Sequence, residues 1–459
     1  MRYISKFSWV RYRYNFGERS RSLLKEPWAG GVVLVLCVII ALILANLEST
    51  REWYHAILSS NLSFNIVSPG GDFNLAFPKN LTVEKFINDG LMVIFFFGVG
   101  LEIKREVTSG QLSSFRRAIL PVIAAVGGMI VPAIFYALFN HGAPTSGGWG
   151  IPMATDIAFA IGIMSILGDR VPLSLKIFLT ALAIADDLGA IVVIAVFYGG
   201  AINWFYLLLA VILMTMIYFM GRLGERRLLY YLIPAIIVWS LFYYSGIHAT
   251  LSGVLMAILV PTEPRYSKLH LLRQSDRLEA NIVKAADEDN DEEYNSQLVQ
   301  LGYLSYGSVG MSHMLETFLA PYITFVILPI FALANAGVII NFSDLNIFTI
   351  APDGGSIGMG IFFGLLLGKP IGIVTASWLA IKFKLAEMPE RATWITIFAV
   401  ACLGGIGFTM SIFVDTLAFG TVSAEYVDQG KIAILFGSLA SAILGVLLIN
   451  LFSKKTANE

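Results

Sequence analysis

The feature that most limits this chain is a series of apolar runs, each long enough to cross a bilayer. Spanning the hydrocarbon core takes about 20 residues of helix. Trp28–Asn46 carries no Asp, Glu, Lys or Arg, and further apolar runs cover 86–101, 118–139, 149–168, 177–198, 201–220, 317–339, 357–380, 393–414 and 432–452. The stretch Leu228–Val260 is also uncharged. It is long for one helix and short for two, and Gly246 in its middle permits a break. Of the 459 residues, 57% are hydrophobic and 14% charged. Soluble domains are about half apolar and a quarter charged, so a soluble enzyme is excluded. The net charge of −1 gives no basic excess for DNA or RNA, and no nucleic-acid partner is expected. Cys37 and Cys402 lie in apolar runs and read as buried thiols, not a disulfide framework.

Charge outside the runs sets the topology. Reading Leu228–Val260 as two spans gives twelve spans with both termini inside. The inside segments then hold 26 of the 31 Lys and Arg. The outside segments hold Arg51, Lys79, Lys85 and Lys431, and Lys369 lies within a span. A single span there would turn the later basic loops outward, against the positive-inside rule. The expected organisation is a cytoplasmic tail at 1–27, spans one to eight over 28–260, a cytoplasmic linker at 261–316, spans nine to twelve over 317–452, and a cytoplasmic tail at 453–459. A signal peptide in place of the first span would be shorter and end at a small-residue cleavage site. The loop at 47–82 shows strand-like alternation around a Pro69–Gly71 turn. A hairpin there offers a contact for a second copy, so a homodimer through it is expected. The linker carries nine of the 32 acids within 263–293 and reads as a solvated, partly disordered loop or a regulatory insert.

Against this background four charges are out of place. Asp156 follows Thr155, Asp186 and Asp187 are adjacent, and Lys369 sits between Gly368 and Pro370, all within apolar runs. An ionisable side chain at mid-membrane costs about 2.5–3.5 kcal/mol even on the lenient insertion scale. Lys369 fits either a buried ion pair or a functional role. The aspartate pair does not fit a purely structural reading, because adjacent like charges repel and one lysine cannot neutralise both. Neighbours on a helix point about 100° apart, so one carboxylate can face a lysine while the other faces a cavity. Such a carboxylate holds either a proton or a hard cation such as Na⁺. The eleventh span contains Gly404, Gly405 and Gly407, followed by Thr409 and Ser411. These suit an unwound segment or a close-packing face. The fourth span has Pro152 before Thr155 and Asp156. Spans 3–5 and 10–12 are then candidate inverted repeats with two interrupted helices, the arrangement that marks a transporter site near the midplane. The fold class expected is an all-α integral membrane protein.

At these residues the sequence resembles the NhaA sodium/proton antiporter family. The resemblance rests on Asn88-Asp89, Gly100-Leu-Glu102 with Lys104-Arg105-Glu106, Pro121 to Pro132, Ala154-Thr155-Asp156, Asp186-Asp187, Gly246-Ile-His248, Pro329 to Gly337 around Asn335, Gly368-Lys369-Pro370, and Gly405-Ile-Gly407-Phe-Thr409. It implies a secondary active transporter, not an enzyme, that expels cytoplasmic Na⁺ or Li⁺ in exchange for external protons and serves sodium and pH homeostasis. It implies electrogenic exchange, with two protons entering per sodium ion. A bacterial inner membrane is implied, with Na⁺, Li⁺, H⁺ and membrane lipid as partners and no cofactor. Asp187 matches the principal cation- and proton-binding carboxylate. Asp186 matches the second, which pairs with the Lys369 position when sodium is absent. Asp156 and Thr155 match the crossing of two broken helices, where Asp156 and Lys369 would balance the helix-end partial charges. Glu102, Glu106 and Glu316 match acids of the cytoplasmic funnel linked to pH activation. Histidines follow that last glutamate in the family's best-known pattern, where this chain has Thr317 and Ala320.

Other histidines carry less. His248 reads as helix packing before proton carriage, and His55, His141, His270 and His313 fall in loops or near span ends. None forms a His-Glu-x-x-His zinc site. Asp89 reads as a structural cap or an entry residue. Two rival functions use the same charges: a passive cation channel or different exchanger, and an intramembrane aspartyl protease built on Asp156 and Asp187. The protease lacks a Gly-x-Gly-Asp motif.

Overall fold

The computed structural model describes residues 26–62, 64–67, 74–77, 81–340 and 355–452. The expected cytoplasmic tail, up to residue 25, the Pro69–Gly71 turn and the 453–459 tail lie outside the described residues. Apart from one small hairpin the described chain is helical. Its elements are α1 (Pro27–Asn46), α2 (Glu48–Ser59), β1 (Phe64–Val67), β2 (Asn74–Phe77), α3 (Val83–Thr108) and α4 (Phe115–Asn140). A 3-10 segment, Pro144–Met153, precedes α5 (Ile157–Leu167). Then come α6 (Leu173–Phe197), α7 (Trp204–Arg222), α8 (Leu229–Ser245), α9 (Thr250–Leu259), α10 (Lys268–Asp287) and α11 (Asp291–Gly307). The chain continues with α12 (Met311–Asn335), α13 (Ile357–Lys382), α14 (Trp394–Gly404), α15 (Phe408–Phe419) and α16 (Ala424–Phe452). Single π turns interrupt α3 at Ile87–Leu91, α12 at Ile323–Ile327 and α13 at Gly364–Gly368.

Among the described residues nine helical stretches are long and apolar enough to cross a membrane, and the pair α14–α15, bent by 49°, makes a tenth. The two helices on either side of Gly246 are shorter, with 17 residues in α8 and 10 in α9. Gly246 adopts φ 82°, and a Cβ there would strike the Ala201 carbonyl, so the break requires glycine. β1 and β2 pair antiparallel, with Phe64 opposite Phe77 and Val67 opposite Asn74.

One expectation needs correction. The 261–316 linker is not a partly disordered loop, because Lys268–Asp287 and Asp291–Gly307 are helices and α12 already begins at Met311. Ser267 and Asn290 accept hydrogen bonds from the first-turn amides of α10 and α11. Asp291, Glu292 and Glu293 occupy the first turn of α11, where the helix dipole favours negative charge. Leu278, Ala285 and Leu304 supply the apolar burial. The acids therefore mark a helix start as well as a solvated face. Lys431, expected in an outer segment, is held within a helix. It lies inside α16 and is 7% exposed. At 29 residues α16 is about 43 Å long, beyond the ~30 Å hydrocarbon core, so a charge can sit in its early turns.

The chain divides into two compact units. One takes the described residues of Met1–Met92, Gln111–Tyr198 and Thr324–Glu459, and the other takes Val93–Gly110 and Gly199–Ile323. In the first, α4 and α13 touch backbone to backbone. Gly127 faces the Gly372 carbonyl, and a Cβ at Gly372 would lie 2.8 Å from the Gly127 carbonyl carbon. Small residues permit this approach. A reciprocal amide pair ties α3 to α12: Asn88 Nδ2 donates to Asn335 Oδ1 at 3.1 Å and Asn335 Nδ2 to Asn88 Oδ1 at 2.8 Å. In the second unit Leu101, Ala210, Val238, Phe242, Ala257 and Val260 form the core. Most apolar side chains of α7 face outward, as a lipid solvent allows.

Candidate functional site

Two helices of the first unit lose their regular turns at the same place. The fourth-span helix is 3-10 through Met153, extended at Ala154–Asp156, and resumes as α5. The other is α14–α15, opened over Gly405–Gly407. The two breaks meet: Asp156 N donates to Ile406 O at 2.7 Å. A Cβ at Gly407 would lie 3.1 Å from Ala154 O, so side chains are excluded where the strands of the crossing pass. The break in the fourth-span helix had only Pro152 and the polar pair Thr155-Asp156 to announce it.

Four helix ends are left at the crossing, and each has a polar partner. Asp156 Oδ1 accepts from Phe159 N at 3.1 Å, capping α5. Asp156 Oδ2 accepts from Thr409 N at 3.2 Å and from Thr409 Oγ1 at 2.5 Å, at the start of α15. One carboxylate thus sits at two positive helix ends. At the opposite ends, Thr155 Oγ1 lies 2.9 Å from Gly404 O, the last residue of α14, and the Lys369 ammonium donates to Met153 O. Asp156, Thr155, Lys369 and Thr409 are all at most 2% exposed.

The charge cluster grows from this frame. Lys369 Nζ lies 2.5 Å from Asp186 Oδ2, a fully buried ion pair. Thr155 Oγ1 donates to the same oxygen at 2.6 Å. Asp186 Oδ1 is buried and accepts no hydrogen bond among the described residues. It is the open acceptor of the site. Asp187, the next residue of α6, is also buried, at 2% exposed. The structure therefore brings together Thr155, Asp156, Asp186, Asp187 and Lys369, read from sequence, and adds Thr409 and the Met153 and Gly404 carbonyls. Lys369 is placed by the glycines before it. A Cβ at Gly364 would lie 2.7 Å from Pro152 Cβ, and one at Gly368 would lie 2.9 Å from Pro132 Cα. These contacts press α13 onto both helices, directly beside Met153.

The acids Glu102, Glu106 and Glu316 lie in the second unit. Arg105 bridges two of them, with Nη1 2.6 Å from Glu316 Oε1 and Nη2 3.1 Å from Glu106 Oε1. Glu102, one helical turn before Glu106, joins the same electrostatic cluster. Thr317 Oγ1 donates to His313 O at 2.9 Å, and Ala320 follows on the same helix. His248 falls in the break between α8 and α9, and Asp89 in the π turn of α3. Cys402 is buried and Cys37 half-buried, and both are free thiols.

Sequence reasoning passed over Asp415. It sits on α15, one position beyond the apolar run drawn to 414, and is completely buried. The signal available was an acid eight residues after Gly407 with no loop residue before it.

Crossed, interrupted helices with balancing charges at the break, in a chain with nine or ten candidate spans, define a multi-pass membrane protein of the secondary-transporter type. The chain matches the family described as Na⁺/H⁺ antiporter 1 over residues 21–449 and belongs to it. It is 42% identical over 432 residues to the Na⁺/H⁺ antiporter NhaA 2 of Flavobacterium johnsoniae, covering 94% of this chain and 92% of that protein. It is 41% identical over 419 residues to the Na⁺/H⁺ antiporter NhaA of Escherichia coli K12, covering 91% and 94%.

Proposed function

We propose that this chain is a secondary active Na⁺/H⁺ antiporter of a bacterial inner membrane, expelling cytoplasmic Na⁺ or Li⁺ against entering protons. The observation that carries the mechanism is the Lys369–Asp186 pair, at 2.5 Å, with Asp186 Oδ1 left open beside the Asp187 position. Family membership and the relatives' names support the exchange of sodium and protons.

The mechanism is competition for carboxyl oxygens. Asp186 and Asp187 are adjacent and buried, so full ionisation of both with one lysine leaves an excess negative charge. A sodium ion or a proton restores balance, and either excludes the other. Na⁺ is cargo here, not a resident cofactor. Sodium arriving from the cytoplasm takes the carboxylate oxygens and displaces two protons, from Asp186 and Asp187 or from Asp187 and the Lys369–Asp186 pair. Asp156 and Thr155 keep the crossing assembled while this happens. The crossing repeats then expose the site to the other face, where protons replace sodium. Two protons per sodium make the cycle electrogenic. The twelve-span topology, counting α8 and α9 singly and placing both termini inside, puts the basic loops in the cytoplasm. Glu102, Glu106 and Glu316 around Arg105 are the candidate pH-response group, and the hairpin is the candidate dimer contact.

Proton flux in everted vesicles, with Na⁺, Li⁺ and K⁺ added across a pH series, tests this reading. Collapse of a preset proton gradient on adding Na⁺ or Li⁺, but not K⁺, is expected. A current without proton coupling would instead mark a channel.

A further inference from the structure

Asp415 takes no part in the exchange site, yet it is a buried acid of the first unit. It is 0% exposed, and neither of its carboxyl oxygens has a hydrogen-bond partner among the described residues. Leaving a buried carboxylate without donors is costly, so such a group is normally paired, hydrogen-bonded or neutralised. Its surroundings come from three elements. On α16 it lies against Gly430, where a Cβ would stand 2.6 Å from Asp415 Cγ. Lys431 and Asp428 of the same helix act on it with opposite sign. Tyr136 of α4 and Tyr198 at the end of α6 are its other polar neighbours. Each phenol has one proton and already gives it to a backbone carbonyl: Tyr136 to Thr145 O at 2.8 Å, and Tyr198 to Gly147 O at 2.9 Å. Neither is a donor to Asp415. Lys431 makes no ion pair with it among the described residues.

The missing partner is a proton, not a second metal ion. Na⁺ needs several oxygen ligands. Here the Tyr198 oxygen already accepts from Gly150 N, and a neighbouring ammonium repels a cation. A proton needs one oxygen and removes the negative charge outright. The position also matters. Asp415 follows Thr409 by six residues on α15, about 9 Å along the helix axis from the crossing. With the basic loops inside, α15 runs outward, so Asp415 stands between the crossing and the external face.

We propose that Asp415 is a second proton-binding carboxyl, on the outer side of the helix crossing, that takes up a proton from outside during the exchange cycle. The proposal rests on the exchange reading and on the inside placement of the basic loops. Binding is a simple protonation: a carboxylate oxygen gains the proton, and its release outward or towards the crossing restores the charge.

Two readouts on the reconstituted full-length protein test it. Infrared difference spectra between high and low pH should show a protonated-carboxyl band that Asp415→Asn removes and Asp415→Glu retains. In oriented proteoliposomes the external pH midpoint of sodium exchange should shift by about half a unit or more in Asp415→Asn, about threefold in proton concentration. Lys431→Met should move that midpoint upward, since losing a nearby positive charge favours the neutral acid. Retention of that band in Asp415→Asn overturns the proposal. So does an unchanged external midpoint, or a shift confined to internal pH, provided that Asp415→Glu exchanges normally. A wild-type protein with the Asp415 band but no sodium-dependent proton movement would overturn the exchange reading and leave the proton site standing.

Discussion

Thr409 gives both its backbone N–H, at 3.2 Å, and its hydroxyl, at 2.5 Å, to a single oxygen of Asp156. The other oxygen of that carboxylate holds the first turn of α5. A side chain on one interrupted helix thereby caps both, and the crossing is a joint closed by one residue.

Asp156→Ala should therefore remove two caps at once. Loss of one N-cap costs about 1 kcal/mol, and here two positive helix ends also lose their counter-charge. The variant should melt measurably below the wild type in detergent. Asp156→Asn keeps an acceptor oxygen and should fall between. An alanine variant melting with the wild type would refute the joint.

The Lys369–Asp186 pair should be strongly non-additive. Breaking a buried pair from one side leaves an unpaired charge and costs about 3–5 kcal/mol. Lys369→Met should destabilise more than Lys369→Met combined with Asp186→Asn, and Lys369→Arg should retain part of the exchange activity. Thermal melts and flux assays of the four proteins close the cycle. Equal, additive losses would mean that the two groups do not depend on one another.

Asp187→Asn should abolish sodium-driven proton movement while leaving expression, insertion and melting near wild type. The substitution is nearly isosteric and removes only the charge and the second ligand oxygen. Robust exchange by this variant would remove Asp187 from the cargo site.

The Asn88–Asn335 amide pair gives a prediction away from the charges. Asn88→Ala loses two hydrogen bonds and Asn335→Ala three, counting the one from Asn335 Nδ2 to Phe331 O, and either strands the partner's buried amide, about 1–3 kcal/mol. The double alanine should cost less than the sum. Flux at permissive temperature should persist in all three, because neither side chain reaches the crossing cluster.

Much of the site was legible because the chain is so apolar. Asp156, Asp186, Asp187 and Lys369 were conspicuous as charges inside runs that should exclude them. Gly404, Gly405 and Gly407 announced one break. The second break was faint, since only Pro152 preceded it. The Met153 and Gly404 carbonyls were invisible, because a backbone acceptor becomes a partner only when its helix stops. Asp415 was missed, and Lys431 was read as a loop residue, for a related reason. Each stands at the edge of an apolar run, where sequence cannot tell a buried charge in an overlong helix from one in a loop. The 261–316 insert misled in the opposite way. Its acids looked like disorder, although several of them sit where a helix start favours negative charge.

The π turn at Gly364–Gly368 ends at the residue before Lys369. A π turn is an α-helix holding one residue more than the regular winding needs, so it behaves as slack. Deleting one of its residues would let the turn close as α, with Ile357–Phe363 and Lys369–Lys382 each keeping its own face. The same deletion within Lys369–Lys382 has no slack to absorb it and would rotate everything beyond by about 100°. This helix can therefore change length at that turn without turning its lysine away from the crossing.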